Sequence, residues 1–262
     1  MSIHLIVCAF FALLFSAHSP AAYVTGFESP PFNSGTINGQ DSWTMTGSLF
    51  DTSRIRTASE IAADLANGGF TVGDAVHSGS QALMVSGVGA NNSTVRVVAG
   101  FEGVNKVTLD VWARPLPLVN STSASGNIFL TMEDASGVRA AAFRFGTQFG
   151  MTIDYGSALS NPWVPSNVTW DSDTWYHLTM ALDYNAKTYD FTINDAIVNV
   201  DPIPFYNVLS TNFTQIRLFR GQNPAGMLVD DLTVIPEPTT LGCLLAGAGA
   251  CAISLRRRHK VA

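Results

Sequence analysis

An all-β antiparallel sandwich is the fold the sequence predicts, and three observations predict it. Between residues 23 and 235, short segments alternate apolar and polar side chains with a period of two. Gly, Asn, Asp and Pro cluster between them at turn spacing. No helical period persists beyond a single short stretch.

Each element follows from its own residues. The one helical stretch is 58–65 (ASEIAADL). Residues 107–114 (VTLDVWAR) read as a strand, with Val107, Leu109, Val111 and Ala113 on one face and Thr108, Asp110, Trp112 and Arg114 on the other. Segments 127–133 and 138–145 flank Asp134-Ala135-Ser136-Gly137, a hairpin turn composition. Residues 161–173 read as loop. Segments 175–182 and 188–193 flank a second turn at 183–187, and 215–220 and 227–234 flank a third at 222–226. No repeat, linker or composition break divides 23–235, so these residues form one domain.

The two ends differ from the body. Residues 2–22 carry no Lys, Arg, Asp or Glu, and 5–15 (LIVCAFFALLF) are continuously apolar. Small residues follow at Ala17, Ser19, Ala21 and Ala22. This predicts a secretory signal peptide over 1–22, cleaved between Ser19 and Tyr23, although His4 is the only basic residue before the apolar run. At the other end, 239–255 lack charge and run into Arg256, Arg257 and Arg258, with Lys260 beyond. Seventeen such residues sit at the lower limit for a membrane-spanning helix. The basic cluster predicts that this end stays in the cytoplasm.

Removing both ends removes Cys8, Cys243 and Cys251, so the body holds no disulfide, thiol nucleophile or thiolate metal site. The tail carries four basic residues against Glu237, so the body's formal charge falls from −6 to −9. That acidity argues against nucleic acid and anionic membrane surfaces as partners.

Pro236-Glu237-Pro238, the apolar run and the Arg-rich terminus resemble, in order and spacing, the PEP-CTERM sorting signal. The resemblance implies residues 236–262 as a sorting segment, with motif 236–238, transmembrane span 239–255 and basic tail 256–260. It implies the general secretion machinery and an exosortase as partners, transient anchoring at the inner membrane, then a place at the cell surface or outside the cell among exopolysaccharide. In the body, Phe27-Glu28-Ser29, 78–85 (SGSQALMV), 173–195 (DTWYHLTMALDYNAKTYDFTIND) and 227–234 (MLVDDLTV) resemble the concanavalin A-like, laminin-G-like jelly-roll group. Residues 38–44 (NGQDSWT) are similar to a segment of other surface proteins with this tail.

Two candidate sites follow. Carbohydrate modules stack sugar rings on exposed aromatics and fix hydroxyls with Asp, Asn or Arg. Trp112 flanked by Asp110 and Arg114 fits that chemistry, unless its face is a second buried layer. Trp163 and Trp170 in the loop-like segment come next, while Trp43 and Trp175 are assigned to the core. The jelly-roll resemblance implies a structural calcium held by Glu28 with Asp230 or Asp231, and hard oxygen ligands suit that ion. Adjacent aspartates on a regular strand point to opposite faces, so only one would ligate; a solvated pair is the alternative. No carboxylate pair with glycosidase strand spacing, Gly-x-Ser-x-Gly elbow or His-based zinc motif occurs. Glu133-Asp134 read as a solvated turn, and His77 and His177 as structural. The reading is a non-enzymatic polysaccharide-interacting or adhesion module; the alternatives are a divergent glycan-active hydrolase or lyase, or a purely structural matrix protein.

Overall fold

A computed structural model describes residues 22–46, 53–67, 73–85, 93–116, 128–147, 150–158, 160–220 and 226–237. The period-two pattern of 107–114 extends to β7, Lys106–Leu116, whose Val107, Leu109, Val111 and Ala113 are buried on one face. It pairs antiparallel with β12 (Tyr176–Asp183), where burial alternates residue by residue.

In chain order the remaining elements are β1 (Tyr23–Thr25), β2 (Gly35–Thr36), β3 (Trp43–Thr46), β4 (Ser53–Thr57), α1 (Ala58–Asn67), β5 (Gln81–Val85) and β6 (Ser93–Val97). After β7 come β8 (Ile128–Glu133), β9 (Arg139–Phe145), β10 (Thr152–Ser157) and β11 (Ser160–Thr169). β13 (Thr188–Ile193), β14 (Ala196–Ile197), β15 (Ile203–Pro204), β16 (Gln215–Arg220) and β17 (Gly226–Pro236) follow β12.

Two antiparallel sheets result. Sheet A runs β14-β13-β12-β7-β17-β5-β4-β2, with β1 also on β17 and β15 on β13; sheet B runs β11-β10-β9-β8-β16-β6-β3. Their inner faces meet in one apolar core, where Phe143 of β9 stacks on Phe191 of β13 at 6.1 Å and Phe145 meets Tyr176 at 5.9 Å. Each such ring contributes about 1.5–3 kcal/mol by leaving water.

α1 forms where expected and closes a smaller second core on the outer face of sheet A. Ile61 and Leu65 pack with Ala82, Leu116 and Leu228. Its start is a reciprocal cap: Glu60 Oε2 accepts Thr57 N–H at 2.8 Å and Thr57 Oγ1 accepts Glu60 N–H at 3.3 Å.

The first two hairpins form as the turns predict, β8–β9 and β12–β13. The third does not. β16 pairs with β6 and β8 in sheet B, whereas β17 pairs with β7, β5 and β1 in sheet A, so the chain crosses between layers there. Turn composition reports a reversal of direction and not which sheet receives each strand. The loop expected at 161–173 is also corrected: 160–169 form β11, an edge strand holding two prolines.

Ala22–Pro236 is one compact unit; Met1–Ala21 and Glu237–Ala262 are assigned to another. Pro236 ends β17 opposite Val107. The expected signal peptide, Pro238, the apolar run 239–255 and Arg256–Arg258 lie outside the described residues. Among the described residues no helix is long and apolar enough to cross a membrane.

Candidate functional site

The outer face of sheet A beside α1 carries the densest polar and aromatic cluster. Strand pairing sets His177 of β12, Trp112 of β7 and Asp230 of β17 in one row, with Thr192, Thr179, Asp110, Thr233 and Val24 in the next. Because all these positions share the outward side of the pleat, the second row crosses β13, β12, β7, β17 and β1.

Trp112 is clamped. His77, in the turn before β5, stacks on one face of the indole at 3.7 Å and 14°, and His177 stacks on the other at 4.9 Å and 13°. Carboxylates fix both imidazoles. His177 places Nε2 2.9 Å from Asp110 and Nδ1 2.9 Å from Asp195. Both carboxylates are acceptors, so the two bonds are made together when the ring carries both protons. Burial alone would lower its pKa, but the hydrogen bonds and charges of Asp110, then Asp195, outweigh it and hold the value above the ordinary imidazole range. In that doubly protonated form the ring lays a cation against the indole face. His77 Nδ1 meets Asp231 Oδ2 at 2.7 Å.

The indole thus offers an edge rather than a free face, and the expected sugar platform on Trp112 is corrected to that extent. Arg114 shares the outward side but is 0 % exposed. It donates to Ser172 O at 2.8 Å, Asp74 O at 2.7 Å and Asp173 Oδ1 at 3.1 Å, tying two turns down over this end of the sheet. Its place next to Trp112 is therefore structural. Trp175, expected in the core, is half-buried against the edge of His77 and donates to Asp74 O.

Trp163 on β11 of sheet B and Trp170 just after that strand are buried and lie apart from this cluster. Trp163 stacks on Phe129 at 5.1 Å beneath the Arg144 guanidinium, and Trp170 enters the core with its Nε1 donating to Gly146 O. Glu133 and Asp134 are corrected too. Both are buried, Glu133 among Thr131, Gln215 and Arg217, and Asp134 accepting the N–H groups of Ser136 and Val138.

Glu28, Asp230 and Asp231 do converge, around Gly26, where an added Cβ would meet Asp231 Oδ1 at 3.2 Å and Asp230 Oδ1 and Glu28 Cγ at 3.9 Å. The two aspartates act on one side because β17 bulges: between the pairs Asp230–Trp112 and Thr233–Asp110, Asp231 and Leu232 together face Val111, and Asp231 has φ +44°. Asp230 Oδ2 accepts the N–H groups of His77 and Ser78, both at 3.1 Å, and Asp231 Oδ1 accepts Ser78 Oγ at 2.8 Å. Burial pushes Asp230 up to about 7. Glu28 accepts Ser80 N, Ser80 Oγ and Gln81 N at 2.7–2.8 Å. Protein donors thus meet these carboxylates, and among the described residues no group of three His, Cys, Asp or Glu side chains is arranged to hold a metal.

His77 and His177, read from sequence as structural, are stacked on Trp112, and Thr192 and Thr233 were not singled out. The alternation of His177 and Thr192 along their strands was visible, but the cross-strand register and the turn that brings in His77 were not. Among the described residues the hydroxyls of Thr192 and Thr233 have no partner, and no hydroxyl bonds either imidazole.

No protein-family model and no curated protein matches this chain. Its fold is similar to that of solved structures. A sialidase superposes with a TM-score of 0.55 at 10 % identity, over 82 % of this chain and 18 % of that one. The chain therefore spans under a fifth of that protein's length. A carbohydrate esterase from the Shiga toxin-encoding bacteriophage phi24B gives 0.51 at 12 % identity, over 82 % of this chain and 97 % of its own. These likenesses show an all-β antiparallel sandwich.

Proposed function

We propose that the body is a non-enzymatic carbohydrate-interacting module that binds a neutral polysaccharide on the outer face of sheet A. The observation that carries this is the row Thr192, Thr179, Asp110, Thr233 and Val24 beside the fixed His77–Trp112–His177 stack. Five strands about 4.8 Å apart present hydroxyls, a carboxylate and an apolar flank in line. Val24 is 67 % exposed, Thr179 Oγ1 donates to Asp110 at 2.9 Å, and among the described residues the hydroxyls of Thr192 and Thr233 have no partner and can meet sugar hydroxyls. The likeness in fold to a sialidase and a carbohydrate esterase supports a carbohydrate partner.

A binding role is favoured over hydrolysis because Ser78 Oγ donates to Asp231 and not to a histidine nitrogen. Asp230, the carboxyl shifted most toward neutrality, is fully buried and bonded to backbone. Export by the signal peptide, and sorting by an exosortase to the cell surface or matrix through Pro236, Glu237 and Pro238, belong to the same proposal and rest on the sequence. So does the structural calcium at Glu28, Asp230 and Asp231. A melting temperature lowered by chelator would support the ion; identical curves with calcium and with chelator would leave the protein donors as the sole partners of these carboxylates.

A neutral glycan array probed with the full chain in nonionic detergent tests the binding. Thr192→Val with Thr233→Val should cut retention several-fold without lowering the melting temperature, since neither hydroxyl has a partner among the described residues. Retention of no neutral glycan, or equal retention by the double variant, would contradict it.

A further inference from the structure

The outer face of sheet B holds a second cluster of different charge. Pairing of β8, β9 and β16 sets Phe129 beside Phe219 and Arg144, and Thr131 beside Arg217. Glu133 is the hub. Its Oε2 accepts Arg217 Nε at 2.8 Å and Gln215 Nε2 at 2.9 Å, while Oε1 accepts Thr131 Oγ1 at 2.9 Å and lies 3.5 Å from Arg139 Nε. Arg144 is balanced by Asp154 at 2.7 Å. Two guanidinium groups therefore share the Glu133 carboxylate, Arg217 at 2.8 Å and Arg139 at 3.5 Å.

Arg139 is the more loosely held of the two. Arg217 is fixed further by Ser93 Oγ, but beyond the long Nε contact the Nη1 and Nη2 groups of Arg139 have no partner among the described residues. Its side chain is 30 % exposed, and its guanidinium carbon lies 5.7 Å from the ring centres of both Phe219 and Tyr206. Tyr206 is held in place by backbone bonds from its own N–H to Ala140 O and from Asn207 N–H to Arg139 O. The carboxylate behind Arg139 thus orients the fork, and half-buried rings flank it.

We propose that this face binds a uronate-bearing polysaccharide, a sugar carboxylate seating on the Nη1–Nη2 edge of Arg139 and the sugar ring lying against Phe219 or Tyr206. A planar carboxylate matches the guanidinium fork bidentately, and the flanking rings offer a surface to pyranose C–H groups. The rest of the molecule restricts where a polyanion can settle. The chain carries −6 overall, and the outer face of sheet A presents Asp110, Asp190 and Asp231. This goes beyond the neutral-glycan reading: it concerns the other sheet and the opposite ligand charge.

The test is affinity electrophoresis of the full chain in nonionic detergent, in native gels containing polygalacturonate, dextran sulfate or uncharged dextran. Polygalacturonate should retard the wild type at low salt, less so at high salt. Arg139→Gln should weaken retardation roughly tenfold, the loss of one charge-assisted pair. Arg139→Lys, which keeps the charge and loses the fork, should fall between and guards against a folding defect in the glutamine variant. Thr192→Val with Thr233→Val should leave polygalacturonate binding unchanged, so failure of the sheet A reading is seen separately. The proposal is overturned if polygalacturonate fails to retard the wild type, if Arg139→Gln is retarded equally, or if dextran sulfate retards the protein and polygalacturonate does not.

Discussion

Trp112 shows how far a single residue's role depends on neighbours that are remote in sequence. Alternation along 107–114 places it outward; only the structure shows an imidazole on each face, one from β12 and one from a turn thirty-five residues before it. Trp112→Ala should therefore destabilise the body by about 1–3 kcal/mol, the loss of two ring stacks. Urea unfolding measures this, and an unchanged midpoint would mean that the stack holds nothing together. His177 gives a pH prediction whose sign follows from its raised pKa. Stability from its pairing with Asp110 and Asp195 is complete below the unfolded imidazole pKa of about 6.5 and is lost as pH rises through the higher folded value. The stability gap between wild type and His177→Gln should narrow as pH rises above the unfolded value and through the raised folded one. A gap that widens with pH would show that the ring is neutral when folded. The sequence singled out Asp110, and it is here that the His177 ring and Thr179 meet. Arg114 was legible as an outward residue but not as a buried one, because residues 73–74 and 172–173, which cover it, come from distant loops.

At the scale of elements, local periods and local turns were legible and long-range pairings were not. β7, β12, β13 and α1 follow from period and capping within their own residues. The crossing from β16 to β17 and the bulge at Asp231 depend on which strands lie alongside, so the third reversal read as a hairpin and the aspartate pair as split between faces. The turn before β5 is similarly set by contacts across the fold. Gly79 has φ +62°, and a Cβ there would collide with Glu28 Oε1. Gly79→Ala should thus cost about 1–2 kcal/mol for the left-handed backbone alone, with more for displacing Glu28 from Ser80 and Gln81. Glu28→Ala in the same chain should not restore wild-type stability, because the backbone strain persists. Full recovery would place the whole cost on the carboxylate. Arg114→Met should lose about 2–3 kcal/mol through its charge-assisted bonds to Ser172, Asp74 and Asp173. A chemical denaturation midpoint within error of wild type would show that these bonds do not hold the two turns down.

Across the whole molecule, one sheet presents carboxylates, hydroxyls and a histidine pair, and the other presents arginines and aromatic rings. The sandwich was legible because alternation with one buried face is imprinted on nearly every strand. The chemistry of each outer face was not, since composition sums over both faces. The export and sorting proposal has its own check. Replacing Pro236, Glu237 and Pro238 together with alanine should leave membrane insertion intact and block release, giving an anchored full-length species in place of a shortened one. Equal release, read by mass spectrometry of the C-termini, would remove the motif from the account. The claim that the body engages carbohydrate through the outer face of sheet A is met most directly by a two-dimensional NMR titration of the Ala22–Pro236 unit with a neutral glucan oligosaccharide. Shifts should concentrate at Thr192, Thr179, Asp110, Thr233 and the Trp112 indole N–H. Shifts confined to other strands, or none at saturating sugar, would contradict it.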